Sequence, residues 1–311
     1  MAVIELLKYI IKKLILTIPI LIGASIIVFM LIHIAPGDPV HLIVGPNVTP
    51  EVYENIVERL GLNDPLPVQY FRFVSNAVRG DLGMSILQRR PVLDIISEKL
   101  YITLELGLAS LFISFAIAVP AGVIAAVKRK TAVDYISMTG ALVGMSMPTF
   151  WFGLLMVYFF AYKWRLFPIS GYGTWQHLVL PAFTLGLTNA AVLARMVRSS
   201  MLEVIRQDYV RTARSKGLSE RVVINQHALK NALIPIITLL GLRVGWIMGG
   251  SIILELVFSR PGLGRLMIDG ILARDYPIVQ GSMLVLTLFI ILANIMADVL
   301  YAVVDPRIKY R

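Results

Sequence analysis

The 311-residue sequence contains no cysteine and few charged residues. The lack of cysteine excludes thiolate metal ligands, thiol nucleophiles and a disulfide scaffold. Charged residues make up 15% of the chain, against about a quarter in soluble domains, whereas hydrophobic residues make up 57%. Mean hydropathy is +0.77. Because such a chain cannot cover itself with a solvated surface, the composition predicts an integral membrane protein.

Motifs of catalysis are also missing. The sequence has no GxxxxGK(S/T) phosphate-binding loop and no HExxH zinc motif, and residues 262–264 supply only the first part of a GxGxxG loop. The four histidines are scattered without the spacing of metal ligands. We therefore predict no catalytic residue, no metal site and no cofactor bound by this chain itself.

The formal net charge is +10. In a soluble protein this excess would suggest nucleic acid as a partner, but no basic patch is interleaved with stacking aromatic residues. Membrane proteins carry excess lysine and arginine on their cytoplasmic loops, and this is the better explanation here.

Six apolar stretches are long enough to cross a bilayer as helices, which predicts an all-α fold. They are Leu14–Ile34, Ile102–Val127, Ile136–Tyr162, Leu178–Val197, Leu233–Leu256 and Gln280–Val304. The first stretch resembles a signal peptide, but it is longer than a signal core and no cleavage motif follows, so we interpret it as a retained helix. With the N-terminus inside, short cytoplasmic segments hold sixteen Lys/Arg and short outer loops hold five. Both termini are therefore predicted to be cytoplasmic.

The outer segment 35–101 is predicted to fold rather than to act as a linker. Thr49, Pro50 and Glu51 form a helix-start pattern, apolar residues then recur at helical spacing, and Gly61 can end the helix. A second helical pattern follows Pro67. The segment is either a cap that binds a partner or a packed lid without a binding role.

The inner loop 198–232 carries the most information. Ile205, Tyr209 and Ala213 form an i, i+4 row on a charged helix. Arg214 and Lys216 suit the end of that helix, Gly217 suits the left-handed position after it, and Ser219 can begin a second helix to about Asn231. From charge pattern alone, this helical pair either projects into the cytoplasm or lies on the lipid surface.

Polar and small residues within the spans are further candidates. Arg243 and Asp298 lie deep in predicted helices and form either a structural ion pair or part of a transport site. Gly241, Gly245 and Gly249 lie four residues apart on one helical face, a spacing that lets helix backbones approach closely.

Several ordered motifs resemble the dipeptide/oligopeptide permease family of ABC importers, and its first permease subunit in particular. The inner-loop stretch 207–220, QDYVRTARSKGLSE, resembles the cytoplasmic loop of such permeases. The other matching pieces are residues 36–39, 60–62, 65–70, 79–83, 258–264, 275–277 and 305–307. The resemblance covers essentially the whole chain.

The resemblance implies a transport subunit and not an enzyme. It implies a type I importer permease fold with a helical extracytoplasmic segment at 35–101 and a five-helix core at 102–311. The implied partners are a second homologous permease, two ATPase subunits that bind ATP and Mg²⁺, an extracytoplasmic solute-binding protein and membrane lipid. The implied location is the cell membrane.

The resemblance also implies two sets of site residues. The inner loop becomes the coupling element that docks on an ATPase, with candidates Ile205, Tyr209, Ala213, Arg214, Lys216, Gly217 and Leu218. The translocation path is expected along the third to sixth helices, with candidates Arg243, Gly245, Gly249, Met147 and Trp151. Di- or oligopeptides are the expected substrate. Oligosaccharides, nickel and glutathione are alternatives within the family, and an ion-coupled carrier is the alternative class.

Overall fold

A computed structural model describes residues 2–34 and 49–304. Within these ranges every regular element is helical, apart from an isolated antiparallel bridge between Met84 and Pro91. The motif residues 36–39 and 305–307 lie outside the described residues. The all-α class that hydropathy predicts is confirmed.

Thirteen α-helices follow one another in the described ranges. They are α1 (Ala2–Ile34), α2 (Pro50–Leu60), α3 (Leu66–Val78), α4 (Val92–Val127), α5 (Ala132–Ser146), α6 (Thr149–Met156), α7 (Trp175–Val204), α8 (Asp208–Ser215), α9 (Glu220–Val222), α10 (Leu229–Ala232), α11 (Ile234–Val257), α12 (Leu263–Leu272) and α13 (Tyr276–Val304). A π-helical segment, Val157–Lys163, continues α6, and another, Val223–Ala228, joins α9 to α10.

Helices lie at all six predicted spans. Stretches within α1, α4, α7 and α13 are long and apolar enough to cross a membrane, and α5 with α6 and its π-helical continuation passes the same test as a bent pair. Helix α11 occupies the fifth predicted span. Several helices extend beyond the apolar stretch that predicts them; α4, for example, begins ten residues before Ile102.

The third predicted span is not one continuous helix, so that part of the prediction was wrong. The chain turns by 105° between α5 and the helix that begins at Thr149. Met147 has an extended conformation, with φ −84° and ψ 129°. The ring of Pro148 explains the break, because proline disfavours a helical conformation in the residue before it.

The chain forms two compact units. Among the described residues, the first comprises 2–11, 103–260 and 290–304, and the second comprises 12–34, 49–102 and 261–289. The division into consecutive segments 1–34, 35–101 and 102–311 stays a prediction.

The second unit contains the predicted helices of the outer segment. Helix α2 begins at Pro50 and ends at Gly61, whose φ is +65°. This left-handed conformation favours glycine and confirms the predicted helix end. Thr49 precedes the helix in an extended conformation, although its side chain makes no capping hydrogen bond. Helix α3 begins at Leu66, just before the pattern that predicts it.

A buried carboxylate ties two loops of the second unit together. Asp275 is 2% exposed and accepts a hydrogen bond of 2.5 Å from the Ser85 hydroxyl. It also accepts hydrogen bonds from the backbone N–H groups of Ile86 and Leu87, each at 3.2 Å. A carboxylate held by several donors fixes the conformation of the segment that supplies them. Asp275 therefore holds residues 85–87 in place.

Small residues bring helices of the first unit close together, as their spacing predicts. A β-carbon built on Gly241 would overlap the β-carbon of Ala297 on α13, whereas one built on Gly249 would meet no atom within 4 Å. The row on α11 therefore has two roles: Gly241 allows a helix contact, and Gly249 borders open space.

We expect Gly241→Ala to destabilise the protein and Gly249→Ala to leave its stability nearly unchanged. The added methyl group at 241 forces helices apart, and overpacking of this kind costs about 1–3 kcal/mol. Melting temperatures of the two variants in detergent, measured against the parent, check the prediction. Equal melting temperatures for both variants would contradict the contact between Gly241 and Ala297.

Candidate functional site

The inner loop is a pair of helices joined by a tight turn at Gly217. Helix α8 ends at Ser215, and Gly217 follows with φ +78°. Ser219 then has an extended conformation, and α9 begins at Glu220. The predicted helix–glycine–helix arrangement is therefore confirmed, including the left-handed glycine.

The row of Ile205, Tyr209 and Ala213 does not lie on one helix, so that detail was wrong. Helix α7 ends at Val204, and Gln207 has φ −71° and ψ 148°, which interrupts the helix before α8 begins at Asp208. Ile205 therefore precedes the loop helix. Asp208, an acidic residue in the first turn of α8, indicates a new helix start, and the sequence prediction did not take it into account.

The loop has a small apolar core of its own. Ala213 is only 5% exposed and packs with Val210 and Val223, both fully buried, and with Val204. Ala213 thus orients the two loop helices. Tyr209, Lys216, Gly217 and Leu218 are exposed, and Tyr209 and Leu218 present 43% and 40% of their surfaces. Lys216, Gly217 and Leu218 form the exposed tip of the loop at its turn, whereas Tyr209 lies at the start of α8, where its hydroxyl accepts a hydrogen bond from Asn231 at 2.9 Å.

An ion pair that the sequence reasoning missed bridges the turn. The Arg214 guanidinium donates from Nε to Glu220 Oε2 at 3.0 Å and from Nη2 to Oε1 at 2.7 Å. The hydrogen bond from Arg214 lowers the pKa of Glu220, so this carboxylate is ionised at neutral pH. Both side chains are partly exposed, so the pair adds little stability, but its two-point geometry sets the angle between α8 and α9.

A cavity of 550 Å³ lies within the first unit. The break between α5 and α6, the middle of α7 and the middle of α11 form its walls. Four predicted path residues line it together: Met147, Arg243, Gly245 and Gly249. Thr149, Thr188 and Asn189 add neutral hydrogen-bonding groups to the lining. Arg243 supplies the one formal charge among the described lining residues.

Trp151, the remaining path candidate, lines a second cavity of 620 Å³. Its walls are the end of α5 and the start of α6, and Met147 and Pro148 belong to it. Met147 therefore borders both cavities, which places the helix break between them.

A buried arginine also escaped the sequence reasoning. Arg260, which the charge count places in an outer loop, has a side chain that is 1% exposed. It pairs with Glu105 at 2.7 Å, and its guanidinium lies 5.1 Å from the centre of the Tyr172 ring. The pair explains why Glu105 is tolerated in an apolar span.

Comparison with known proteins identifies the family. Residues 118–310 match the model of the binding-protein-dependent transport system inner membrane component, and residues 6–107 match the N-terminal model of the same membrane component. The chain belongs to this family of ABC transporter permeases. It is a membrane-embedded, multi-pass permease subunit, and ATP hydrolysis takes place on separate ATPase subunits. Family membership therefore decides between the two predicted classes in favour of the ABC importer permease and against the ion-coupled carrier.

Full-length relatives support the same assignment. The chain is 45% identical over 306 residues to the glutathione transport system permease protein GsiC of Escherichia coli O6:H1, covering 98% of this chain and all of the relative. It is 44% identical, with the same coverage, to the protein of that name in Shigella dysenteriae serotype 1.

A solved structure shares the fold. The inward-facing methionine ABC transporter MetNI superposes with a TM-score of 0.59 at 20% identity, covering 68% of this chain and 96% of that chain. The type I importer permease fold that the sequence motifs imply is therefore confirmed.

The orientation in the membrane is open to a direct test. Because the chain has no cysteine, single cysteines can be introduced at Asn55 and at Ser215, both of which are exposed. We expect a membrane-impermeant thiol reagent to label Asn55→Cys in intact cells and to label Ser215→Cys only after the membrane is opened. Labelling in the reverse order would contradict a cytoplasmic inner loop.

Proposed function

We propose that this permease forms half of the translocation path of an importer for small peptides that carry free carboxylates, of which glutathione is an example. Arg243 in the wall of the 550 Å³ cavity carries this proposal. A guanidinium binds a carboxylate through two parallel hydrogen bonds, and the neighbouring threonine and asparagine side chains suit peptide groups. The names of the relatives, glutathione transport permeases at 44–45% identity, support the same substrate class.

The mechanism that we propose is alternating access driven by partner subunits. A second homologous permease completes the path, a solute-binding protein delivers the substrate to the outer face, and two ATPase subunits bind ATP and Mg²⁺. The exposed tip of the inner loop, formed by Lys216, Gly217 and Leu218, docks on an ATPase together with the exposed Tyr209 on α8. Both termini lie in the cytoplasm. Closure of the ATPases then moves the loop and rearranges the helices around the cavity.

Uptake by cells that express the complete transporter tests the substrate class. Labelled glutathione should be taken up in an ATP-dependent manner, and unlabelled short peptides should compete. Glutathione amidated at its carboxylates, a neutral oligosaccharide and nickel ions should compete poorly. The proposal would be overturned if the oligosaccharide or nickel is taken up and glutathione does not inhibit that uptake.

A further inference from the structure

An ion pair at the start of the inner loop connects two helices: Arg198, the first residue of the loop, belongs to the last part of α7, and Asp134 belongs to α5. Asp134 lies in the first turn of α5, and its side chain is 4% exposed. It accepts hydrogen bonds from Nε of Arg198 at 2.6 Å and from Nη2 at 2.8 Å, and a third from the backbone N–H of Lys130 at 3.0 Å. A two-point charged contact of this kind restricts both translation and rotation of its partners.

Arg198 belongs to the last part of α7, which packs with the second half of the inner loop. Val197 and Met201 are fully buried against Ile224 and Ala228 of the loop's second half. The hydroxyl of Ser200 also donates to the carbonyl of Ala232 at 2.9 Å. The end of α7 and the second half of the loop therefore form one close-packed body, and such bodies transmit displacement without absorbing it.

Asp134 lies at one end of α5, and the cavity lies at the other. Helix α5 has 15 residues, which corresponds to a rigid rod of about 22 Å. Immediately beyond its end, Met147 and Thr149 flank the break and line the 550 Å³ cavity. A displacement applied at Asp134 therefore reaches the cavity wall through an unbroken helix.

We propose that Asp134 and Arg198 are positioning residues that transmit movement of the inner loop to the broken helix at the cavity. The loop moves the end of α7, Arg198 moves Asp134, and α5 shifts Met147 relative to Pro148. The extended backbone at Met147 acts as the joint at which the angle between α5 and α6 changes. This inference rests on the proposed coupling role of the loop.

A purely structural pair would behave differently when it is broken. Loss of one partner of a buried ion pair destabilises the protein, because a charge is left uncompensated. That effect lowers the amount of assembled transporter, and transport and ATP hydrolysis fall together. A transmitting pair instead lowers the amount of substrate moved per ATP hydrolysed, which is a ratio and does not depend on the amount of protein.

The test uses the reconstituted complete transporter with Asp134→Asn, Arg198→Gln and the double variant. We expect substrate transported per ATP to fall roughly tenfold in each single variant, within the range of coupling between distant sites. The double variant should lose no more than either single variant, because all three break the same contact. Glu98→Gln is the matched control: it removes the exposed Arg90–Glu98 pair of 2.6 Å and should leave the ratio unchanged.

A normal ratio in the assembled single variants would overturn the inference, as would losses that add in the double variant. If Asp134→Asn does not assemble, Arg198→Lys decides, because it keeps the charge and loses the two-point geometry. A lowered ratio at normal assembly supports transmission, and an unchanged ratio rejects it. The loop itself is tested separately with Gly217→Val. If Gly217→Val uncouples ATP hydrolysis from transport but the Asp134 and Arg198 variants do not, the loop couples by another route. If none of these variants uncouples ATP hydrolysis from transport, the loop has no coupling role.

Discussion

Gly217→Val should uncouple ATP hydrolysis from transport while the membrane helices insert normally. Gly217 has φ +78°, and a β-carbon there would meet no atom within 4 Å, so the cost comes from the backbone alone. A left-handed conformation costs an ordinary residue about 1–2 kcal/mol, and a β-branched residue tolerates it worst. The loop relieves this strain by changing the angle between α8 and α9, because the turn is the only covalent link between Ser215 and Ser219.

The contacts around the turn explain why the effect is on coupling and not on folding. The small core of Val210, Ala213 and Val223 belongs to the loop, so a change of helix angle disturbs the packing of the loop and leaves the membrane helices in place. The Arg214–Glu220 pair spans the turn directly, so a new helix angle breaks its two-point geometry. The exposed tip then meets the ATPase at the wrong angle.

Two measurements check this prediction: substrate transported per ATP in the reconstituted transporter, and the amount of ATPase subunit that copurifies. Gly173→Val provides a matched control, since Gly173 also has a positive φ, +114°, and open space around its missing side chain, but lies in another loop. The control should couple normally. Full transport by the Gly217→Val complex at normal ATPase occupancy would show that this loop is not the coupling element.

Features that depend on neighbouring residues could be predicted from the sequence. Gly61 and Gly217 end helices because few other residues adopt a left-handed conformation, and this signal is local. Hydropathy located a helix at each of the six predicted spans, because each stretch by itself must match the bilayer. The break at Met147 was also local in origin, but a count of apolar residues does not register the effect of Pro148 on the residue before it.

Features that depend on distant residues could not be predicted. Asp134 and Arg198 are separated by 64 positions, and Glu105 and Arg260 by 155, so no spacing rule connects them. The burial of Ala213 depends on Val223, which reaches it only after the chain reverses at Gly217. The cavity likewise combines three helical regions, and sequence reasoning could nominate Arg243 and Gly249 for it separately but could not show that they share a wall with Asn189.

Arg243→Gln should reduce preference for substrates with free carboxylates by roughly 10- to 100-fold, since a hydrogen-bonded contact with a charged group contributes about 1.5–3 kcal/mol. Glutamine keeps a polar side chain of moderate length in the cavity wall but loses the charge and the paired donors. The decisive measurement is the ratio of transport of a free-acid peptide to that of its amide, which does not depend on how much complex assembles.

Arg195→Gln is the control for Arg243→Gln. Arg195 is an exposed arginine on α7 and is not among the residues that line the 550 Å³ cavity, so its loss should leave the acid-to-amide ratio unchanged. Arg243→Lys should fall between the parent and Arg243→Gln, because an ammonium group attracts the carboxylate without the two-point geometry of a guanidinium. Two results would contradict a carboxylate site. Either Arg243→Gln lowers transport of the acid and the amide equally, or it prevents assembly while Arg243→Lys keeps the parent acid-to-amide ratio. In both cases Arg243 supports the structure of α11 and does not bind the substrate carboxylate. A carboxylate site in the cavity requires that the acid-to-amide ratio falls stepwise from arginine through lysine to glutamine while the complex assembles normally.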